Sequence, residues 1–263
     1  YSVYTGTQRY YLEINRRIKA QMNVISLFGG PHPTFFPELI EQEGVDGVCI
    51  GEGEYATLEL LNALQAGQPY QRIRNWWFKL RPLLTSVELD ALPFADRQLL
   101  YDAHPPSRRN RIRPFITGRG CPYNCSFCFN EAYSRLYSDD GHKVPMRRRS
   151  VDNVLAEIKE VAGRYPLDFI TFMDDTFILH PQWLRQFEQQ YPAAVGLPFW
   201  CQVRANLVNE SVATLLKHSG CLSVSFGIEA GNDRLRNEIL KRNMSREVYK
   251  RAAQLLRQQG IAF

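Results

Sequence analysis

In residues 114–263, short apolar runs alternate with longer segments whose apolar positions recur every three to four residues. The apolar runs predict buried strands, and the recurring positions predict amphipathic helices that pack one face against a sheet. The predicted strands are PFITG, DFITFM, PFWCQVRA and CLSVSFGIEA, at 114–118, 168–173, 198–205 and 221–230. Alternating strands and helices with short connections favour a parallel sheet wrapped by helices.

Cap residues mark the ends of several of these helices. Ser150 and Ser245 are predicted N-caps, and Pro181 opens another helix. Gly220 and Gly260 each stop a helix. The stripes predicted to be buried are Val151, Val154, Leu155, Ile158 and Val161 after Ser150, and Trp183, Leu184 and Phe187 after Pro181. The final IAF begins a fifth strand. Because these units cannot close a barrel, we expect the chain to be an internal portion of a longer protein.

Residues 1–64 show the same alternation over shorter segments. SVYTG, NVISLF and GVDGVCIG predict strands, which again favours a parallel sheet wrapped by helices. The two helical patterns are predicted to bury Tyr11, Ile14 and Ile18 in the first, and Tyr55, Leu58, Leu61 and Leu64 in the second.

Residues 65–113 contain turn-forming sequences such as AGQPY, LPFAD and HPPSRR, and predict an irregular connector. Within it, Trp76, Trp77 and Phe78 are expected to pack the two domains together; the alternative is that they cover an apolar substrate. The predicted organisation is therefore a domain at 1–64, a connector at 65–113 and a second domain at 114–263.

Charge and hydropathy exclude several classes of protein. The formal net charge of +5 is mild, and we expect the arginine clusters at 108–113 and 147–149 to face solvent or an anionic small molecule rather than nucleic acid. No apolar stretch reaches the roughly 18 residues of a membrane span. The first residues lack the pattern of a secretory signal.

The placement of the six cysteines indicates metal ligands rather than disulfides. Cys121, Cys125 and Cys128 crowd into TGRGCPYNCSFCFN, whereas the other three lie singly inside apolar runs. In a chain without an export signal, this distribution predicts a reducing compartment, most simply the cytoplasm.

Three thiolates directly after a predicted strand stand at the carboxyl end of the sheet, where α/β proteins hold their active sites. A closed zinc site and a ferredoxin cluster each require four ligands, so three leave one iron open to a substrate. The alternative is a zinc ribbon with His142 as fourth ligand, which would make the chain a non-catalytic interaction module.

The C-x3-C-x2-C spacing, with aromatic Phe127 before the last cysteine, resembles the signature of the radical S-adenosylmethionine (SAM) superfamily. The resemblance covers 114–263 and implies a partial (β/α) barrel with a 4Fe–4S cluster on Cys121, Cys125 and Cys128. In that family the open iron binds SAM, and an electron donor such as flavodoxin or ferredoxin supplies the electron that cleaves it to a 5′-deoxyadenosyl radical.

Further cofactor contacts follow from position in the sheet. MDDT ends the second strand, where the family holds the amino group of SAM, although its usual Gly-Gly-Glu is absent. Carboxylates suit an ammonium, so Asp174 and Asp175 are candidates, with one of them in direct contact; the alternative for these acids is a helix cap or a solvent-facing position. Gln202 and Arg204 point to one side of the third strand. Arg204 suits the carboxylate of SAM in bidentate fashion, or a structural ion pair with an Asp. Glu229, at the end of the fourth strand, matches the ribose-binding position of the family, with Phe127 as a further contact.

Two glycine-rich loops follow strands in the first domain and allow a flat or bulky ligand to approach the backbone. Neither has the spacing of a dinucleotide or triphosphate loop. With the cysteine loop downstream, GGPHP and GEGE resemble the cobalamin-binding domain of cobalamin-dependent radical SAM enzymes, a Rossmann-like fold. The resemblance makes the candidate cobalamin contacts Thr5, Gly29, Gly30, His32, Gly51, Glu52, Gly53 and Glu54.

The resemblance implies an enzyme that methylates an unactivated carbon of a small molecule through cobalamin. One alternative keeps the same cofactors for an oxidative cyclisation or rearrangement. Another is a methylthiolating RNA-modifying enzyme, which predicts an RNA-binding module and further cysteine clusters.

Overall fold

The computed structural model describes residues 1–78, 86–139 and 146–263. The chain divides into two compact units, Tyr1–Glu88 with Tyr133–Val144, and Leu89–Ala132 with Pro145–Phe263. Both units combine helices with a sheet, which confirms the predicted α/β class. No helix within the described ranges is long and apolar enough to cross a membrane.

The first unit is built on a short mixed sheet of order β1-β2-β3. Its elements are α1 (Gln8–Lys19), β1 (Leu27–Phe28), α2 (Pro31–Phe35), β2 (Gly47–Cys49), α3 (Glu54–Gln65) and β3 (Trp76–Trp77). β1 and β2 are parallel, as predicted, whereas β3 joins β2 in the antiparallel direction. The predicted strand SVYTG is reduced to one parallel bridge, between Ser2 and Gly29.

The tryptophan pair belongs to the sheet of the first unit. Trp76 and Trp77 form β3, and Trp76 is buried in the first unit's own core with Cys49 and Leu60. Burial, followed by the charge of Glu54, raises the pKa of the Cys49 thiol to about 12. This cysteine is therefore a small buried hydrophobe, as its apolar surroundings predicted.

The buried face of α3 is also not the predicted one. Ala56 and Leu60 are buried, while Tyr55, Leu58 and Leu61 are exposed. The helix carries apolar residues around most of its circumference, so periodicity alone does not identify the face that packs on the sheet.

The second unit contains a parallel sheet of order β4-β7-β8-β9. Its strands and the helices between them are α4 (Arg97–Ala103), α5 (Pro105–Arg109), β4 (Ile112–Phe115), β5 (Gly118–Arg119), α6 (Phe129–Asp139, which continues into the first unit), β6 (Arg147–Arg148), α7 (Val151–Arg164), β7 (Phe169–Phe172), α8 (Pro181–Ala194), β8 (Phe199–Gln202), α9 (Glu210–His218), β9 (Cys221–Ser225) and α10 (Arg246–Gln258). A parallel bridge from Ala262 to Ser223 confirms the start of a further strand.

Most predicted boundaries of the second unit are confirmed. The Ser150 side chain accepts a hydrogen bond from the Asn153 amide at 3.2 Å, and the whole predicted stripe of α7 is buried. α8 begins at Pro181 and buries Leu184 and Phe187. α10 follows Ser245, whose side chain makes no capping hydrogen bond. The core is centred on three fully buried rings that contact one another: Phe172 at the end of β7, Phe177 shortly after that strand, and Phe187 in α8.

The arginine clusters follow the expectation of solvent exposure only in part: Arg108, Arg109 and Arg111 are exposed, whereas Arg113 and the arginines at 147–149 are buried or half-buried. Arg113 is buried between Tyr101 and Tyr165 and donates to backbone carbonyls. Arg148 lies 3.9 Å from the ring centroid of Trp183. The planar guanidinium stacks on aromatic faces, which lets it be buried where a lysine would not be. The predicted connector is also less irregular than expected, because α4, α5 and β3 lie within it.

Candidate active site

The cysteine loop directly follows two strands, β4 and β5. β4 ends at Phe115, and β5 then pairs antiparallel with β6, Gly118 opposite Arg148. Asp174, at the end of β7, accepts hydrogen bonds from the amide and hydroxyl of Thr117, the latter at 2.7 Å. The loop therefore leaves the carboxyl edge of the parallel sheet, as predicted.

The three thiols share this loop in different environments. Cys125 is buried, and Cys121 and Cys128 are half-buried. The Cys128 amide donates to the Cys125 carbonyl at 3.0 Å, and Asn130 Nδ2 lies 3.7 Å from Cys128 Sγ. Burial raises the pKa of Cys121. Within the described ranges no three Cys, His, Asp or Glu side chains are close enough to hold a metal ion, so the thiols lie together on one loop without forming a ligand set. His142, the alternative zinc ligand, lies outside the described residues.

Two guanidinium groups lie against the most buried of these thiols. Arg204 Nη1 is 3.4 Å from Cys125 Sγ, and Arg242 Nη1 is 3.7 Å from the same atom. Both side chains are buried. In addition, Nε of each arginine is buried without a hydrogen-bond partner among the described residues.

These donors fit an anionic group at the loop. Buried guanidinium groups require acceptors, and thiolates or cluster sulfides supply them. A neutral thiol is a poor acceptor for two cations. The residues therefore fit an iron–sulfur cluster held by Cys121, Cys125 and Cys128.

The surroundings of Asp174 exclude the two alternatives to a contact with SAM. Its carboxylate is buried under the Thr117 backbone, where it joins the ends of β4 and β7. Burial raises its pKa, against the opposing charge of Arg148. It is neither a helix cap nor a solvent-facing acid, and its contact with the amino group of SAM stays a prediction.

The two residues from the third predicted strand differ in exposure. β8 ends at Gln202, which is exposed. Arg204 lies beyond the strand; its Nη2 donates to the Arg242 carbonyl at 2.5 Å and its guanidinium stacks on Tyr123 at 3.7 Å. The guanidinium is thus held by a sulfur, a carbonyl and an aromatic ring, and its contact with the carboxylate of SAM stays a prediction. No ion pair between Arg204 and an Asp is found among the described residues.

Glu229 and Phe127 are exposed at the same edge of the sheet. β9 ends at Ser225, so Glu229 lies four residues into a loop rather than at a strand end as predicted. Its φ of +64° is left-handed, which is rare for a residue with a side chain and typical of functional loops. Phe127 is 50 % exposed, and its ring lies 6.0 Å from the Arg242 guanidinium. Contacts of both residues with SAM stay predictions.

In the first unit, two of the predicted cobalamin contacts come together. Thr5 Oγ1 and His32 Nδ1 are 3.2 Å apart, and the His32 ring stacks on the exposed Phe36. Gly29 and Gly30 precede them, but a Cβ on Gly30 would meet the Val3 amide nitrogen at 2.9 Å. The absence of a side chain at Gly30 therefore makes room for the backbone of the protein itself. The Thr5–His32 pair, with Phe36, forms a polar and aromatic surface that fits a flat ligand.

The GEGE loop is used mainly by the protein itself. A Cβ on Gly51, whose φ is +78°, would lie 2.6 Å from Tyr137 Oη. Glu52 is buried and accepts from the Val87 amide at 2.8 Å. Gly53 and Glu54 begin α3. The expected ligand approach at this loop is thus partly replaced by Tyr137, and its contact with cobalamin stays a prediction.

Sequence reasoning did not identify Arg242, Tyr123 or Asn130 as parts of the site. Arg242 follows a short π-helix (Leu235–Ile239) far along the chain from the cysteines, in no recognisable motif. Tyr123 and Asn130 lie inside or beside the cysteine loop itself. Polar and aromatic residues so close to the cysteines were a signal that could have placed them near the cluster.

A three-cysteine loop on a parallel βα sheet, preceded by a second α/β unit, defines a class of iron–sulfur enzymes with an additional cofactor domain. Comparison with protein families agrees. The Radical SAM superfamily model matches residues 115–263, and the B12 binding domain model matches residues 1–61. The chain belongs to the radical SAM superfamily, in its cobalamin-dependent branch. The resemblance drawn from the cysteine motif and the two loops is thereby confirmed, together with the 4Fe–4S cluster, SAM and cobalamin as cofactors.

Several curated relatives carry methyltransferase names. An uncharacterized methyltransferase of Pyrococcus horikoshii is 32 % identical over 81 % of this chain and 47 % of its own length. The cytidylyl-2-hydroxyethylphosphonate methyltransferase of Streptomyces wedmorensis is 24 % identical over 85 % of this chain and 48 % of its own length. The chain thus spans about half the length of the curated relatives it matches.

Solved structures share the fold. The radical SAM methyltransferase TsrM of Kitasatospora setae, with cobalamin and a [4Fe-4S] cluster bound, matches 97 % of this chain and 51 % of its own, with a TM-score of 0.75 and 20 % identity. The cobalamin-dependent radical SAM enzyme OxsB, with aqua-cobalamin bound, matches 99 % of this chain and 39 % of its own, with a TM-score of 0.81 and 19 % identity.

Proposed function

We propose that this chain is the cofactor-binding portion of a cobalamin-dependent radical SAM methyltransferase that methylates an unactivated carbon of a small molecule. The observation that carries the proposal is the cysteine loop, where two buried guanidinium groups face the sulfur of Cys125. The methyltransferase names of the relatives support the reaction type.

When bound, the cluster and SAM supply a radical that removes hydrogen from carbon, and cobalamin supplies the methyl group. Cys121, Cys125 and Cys128 would hold the cluster. Asp174, Gln202, Arg204, Glu229 and Phe127 would orient SAM at the carboxyl edge of the sheet. The first unit would hold cobalamin through the loops around Thr5, Gly29, Gly30 and His32, and through residues 51–54.

The loop would also restrict water around the cysteines. Cys125 is only 4 % exposed; Arg204 and Arg242 lie against its sulfur, and Tyr123 stacks on Arg204. Exclusion of water protects a reactive intermediate from side reactions. We further propose a flavodoxin or ferredoxin as the electron donor and a cytoplasmic location, since free thiols require a reducing compartment.

A second candidate is an oxidative cyclase with the same cofactors. Its specific support is the anaerobic magnesium-protoporphyrin IX monomethyl ester cyclase of Rubrivivax gelatinosus, which is 26 % identical over 96 % of this chain and 47 % of its own length.

Product mass separates the two candidates. The full-length, cluster-reconstituted enzyme would be incubated anaerobically with cobalamin, a reductant, SAM labelled on its methyl group and a small-molecule extract of the source cells. We expect a product that carries the label, which is absent with Cys125→Ser. An unlabelled product that has lost hydrogens would instead support the cyclase and contradict methyl transfer.

A further inference from the structure

Cys125 differs from the other two cysteines of the loop in its electrostatic surroundings. It is the one at which both buried guanidinium groups are placed, at 3.4 and 3.7 Å from its sulfur. Cys128 Sγ instead faces the neutral side-chain amide of Asn130, at 3.7 Å. The positive charge is therefore concentrated on one corner of the cysteine set.

Both arginines are fixed in place by contacts other than the sulfur. Arg204 is stacked on Tyr123 at 3.7 Å and donates to the Arg242 carbonyl. Arg242 Nη2 donates to the Gly227 carbonyl at 2.7 Å. Because these contacts engage only part of each guanidinium group, Nη1 of each arginine is free to donate to Cys125 Sγ.

The backbone around Arg242 is built to hold it there. Lys241 and Asn243, its two neighbours, have φ values of +52° and +53°, a conformation that is costly for residues with side chains. The preceding π-helix is likewise uncommon and is often found at functional sites. Ser126, next to Cys125, donates through its hydroxyl to the Ile239 carbonyl at 2.6 Å and through its amide to the Leu240 carbonyl at 3.2 Å. This segment, residues 239–243, is therefore fastened directly to the cysteine loop.

We propose that Arg204 and Arg242 form an arginine clamp on Cys125 that sets the reduction potential of the iron–sulfur cluster. The inference rests on the cluster of the proposed function, and it assigns to Arg204 and Arg242 an effect on the cluster that does not require SAM. Reduction adds one electron, supplied by dithionite, and so one negative charge to the cluster. Two buried positive charges and N–H···S hydrogen bonds at one ligating sulfur stabilise that charge, which makes reduction easier.

The test is a potentiometric titration of the reconstituted full-length enzyme, followed by the electron paramagnetic resonance signal of the reduced cluster. SAM and cobalamin are omitted, so the outcome is independent of methyl transfer. The variants are Arg204→Gln and Arg242→Gln. The matched control is Arg251→Gln, which removes the same charge from an exposed position on α10. Iron content and thermal unfolding are measured for each protein.

We expect each clamp variant to lower the equilibrium constant for reduction at least tenfold, which is a shift of about 59 mV for a one-electron couple. The control should stay within twofold of the wild type. Arg242→Lys keeps the charge but loses the fork, and should lie between the wild type and Arg242→Gln.

Each outcome bears on one claim. Wild-type protein that holds no iron would overturn the proposed function. Wild-type protein that holds iron, with Gln variants whose midpoints equal that of the control, would overturn the clamp alone. If neither Gln variant folds, Arg242→Lys decides: a shift of twofold or more supports the clamp, and an unchanged midpoint overturns it.

Discussion

Glu157 offers the sharpest test of how the second unit holds its first strand. Its carboxylate, 6 % exposed, receives Arg97 Nη2 at 3.1 Å and Arg149 Nη1 at 2.5 Å. The same two arginines donate to the Pro114 and Ile116 carbonyls at 2.9 and 3.0 Å, directly before the cysteine loop. One buried carboxylate on α7 thus neutralises two cations that hold the end of β4.

Substitution of Glu157→Gln keeps the shape of the side chain and removes its charge. Arg97 and Arg149, 14 % and 13 % exposed, would then be left as largely buried cations that have lost this counter-charge. Removing one partner of a buried ion pair costs about 3–5 kcal/mol. That is a large fraction of the roughly 5–15 kcal/mol by which domains are stable.

The matched control is Glu160→Gln on the same helix. Glu160 pairs with Arg164 at 3.3 Å, but the two side chains are 44 % and 61 % exposed. An exposed pair of this kind contributes less than about 1 kcal/mol. Urea unfolding of the iron-free protein, followed by circular dichroism, measures both variants. The reasoning is refuted if Glu157→Gln loses no more free energy of unfolding than Glu160→Gln.

Three further predictions concern a pair of glycines, a histidine and a pair of cysteines. Gly67 has a φ of +65° and open space around it, so Gly67→Ala should lower the free energy of unfolding in urea by about 1–2 kcal/mol. Gly51→Ala should lower it by about 1–3 kcal/mol more, because its Cβ would also meet a tyrosine hydroxyl at 2.6 Å. Equal losses for the two variants would contradict this. Burial, followed by a neighbouring guanidinium, lowers the pKa of His180. The stability that the neutral imidazole contributes is therefore fully present above about pH 6.5 and declines as the pH falls. His180→Gln should lessen the decline in the free energy of unfolding between about pH 7 and pH 5, and an unchanged decline would contradict this role of His180. Cys201→Ser places a hydroxyl in a fully buried position, so it should lower the free energy of unfolding by about 1–3 kcal/mol while the protein still binds iron. Cys128→Ser should lose the iron but keep the stability of the iron-free protein. Iron assays and urea unfolding of both variants show whether the two effects separate.

The parts of the fold that the sequence predicted best are those with one-sided patterns. α7 has apolar residues on one stripe and polar residues elsewhere, so its buried face was evident. In α3 the apolar residues lie on several faces, and the predicted one, with Leu58 and Leu61, is exposed. Strand β3 has only two residues, Trp76 and Trp77, too few for a period-two signal.

The buried arginines show why composition is a weak guide to position. Arg113 and Arg148 lie in charged runs that normally face solvent. Their burial depends on aromatic faces more than 30 residues away along the chain, such as Trp183 and Tyr165. No local pattern carries that information.

The candidate site was predictable where a motif fixes the chemistry. The spacing of Cys121, Cys125 and Cys128 was sufficient to identify the family. The surroundings of the cysteines were not, because Arg242 reaches Cys125 only through a π-helix and two left-handed residues. Asp174 was correctly placed at the edge of the sheet, but the partner that buries it, Thr117, depends on the pairing of β4 with β7.

The central claim is that this chain holds a cluster and cobalamin that together act on SAM. It is tested most directly by an anaerobic assay of the full-length, cluster-reconstituted protein with cobalamin, reductant and SAM, in which 5′-deoxyadenosine, bound iron and bound cobalt are quantified together. The account predicts deoxyadenosine with both metals bound, and its loss with Cys125→Ser. Deoxyadenosine with iron alone would contradict the cobalamin half of the account, and neither iron nor deoxyadenosine would contradict all of it.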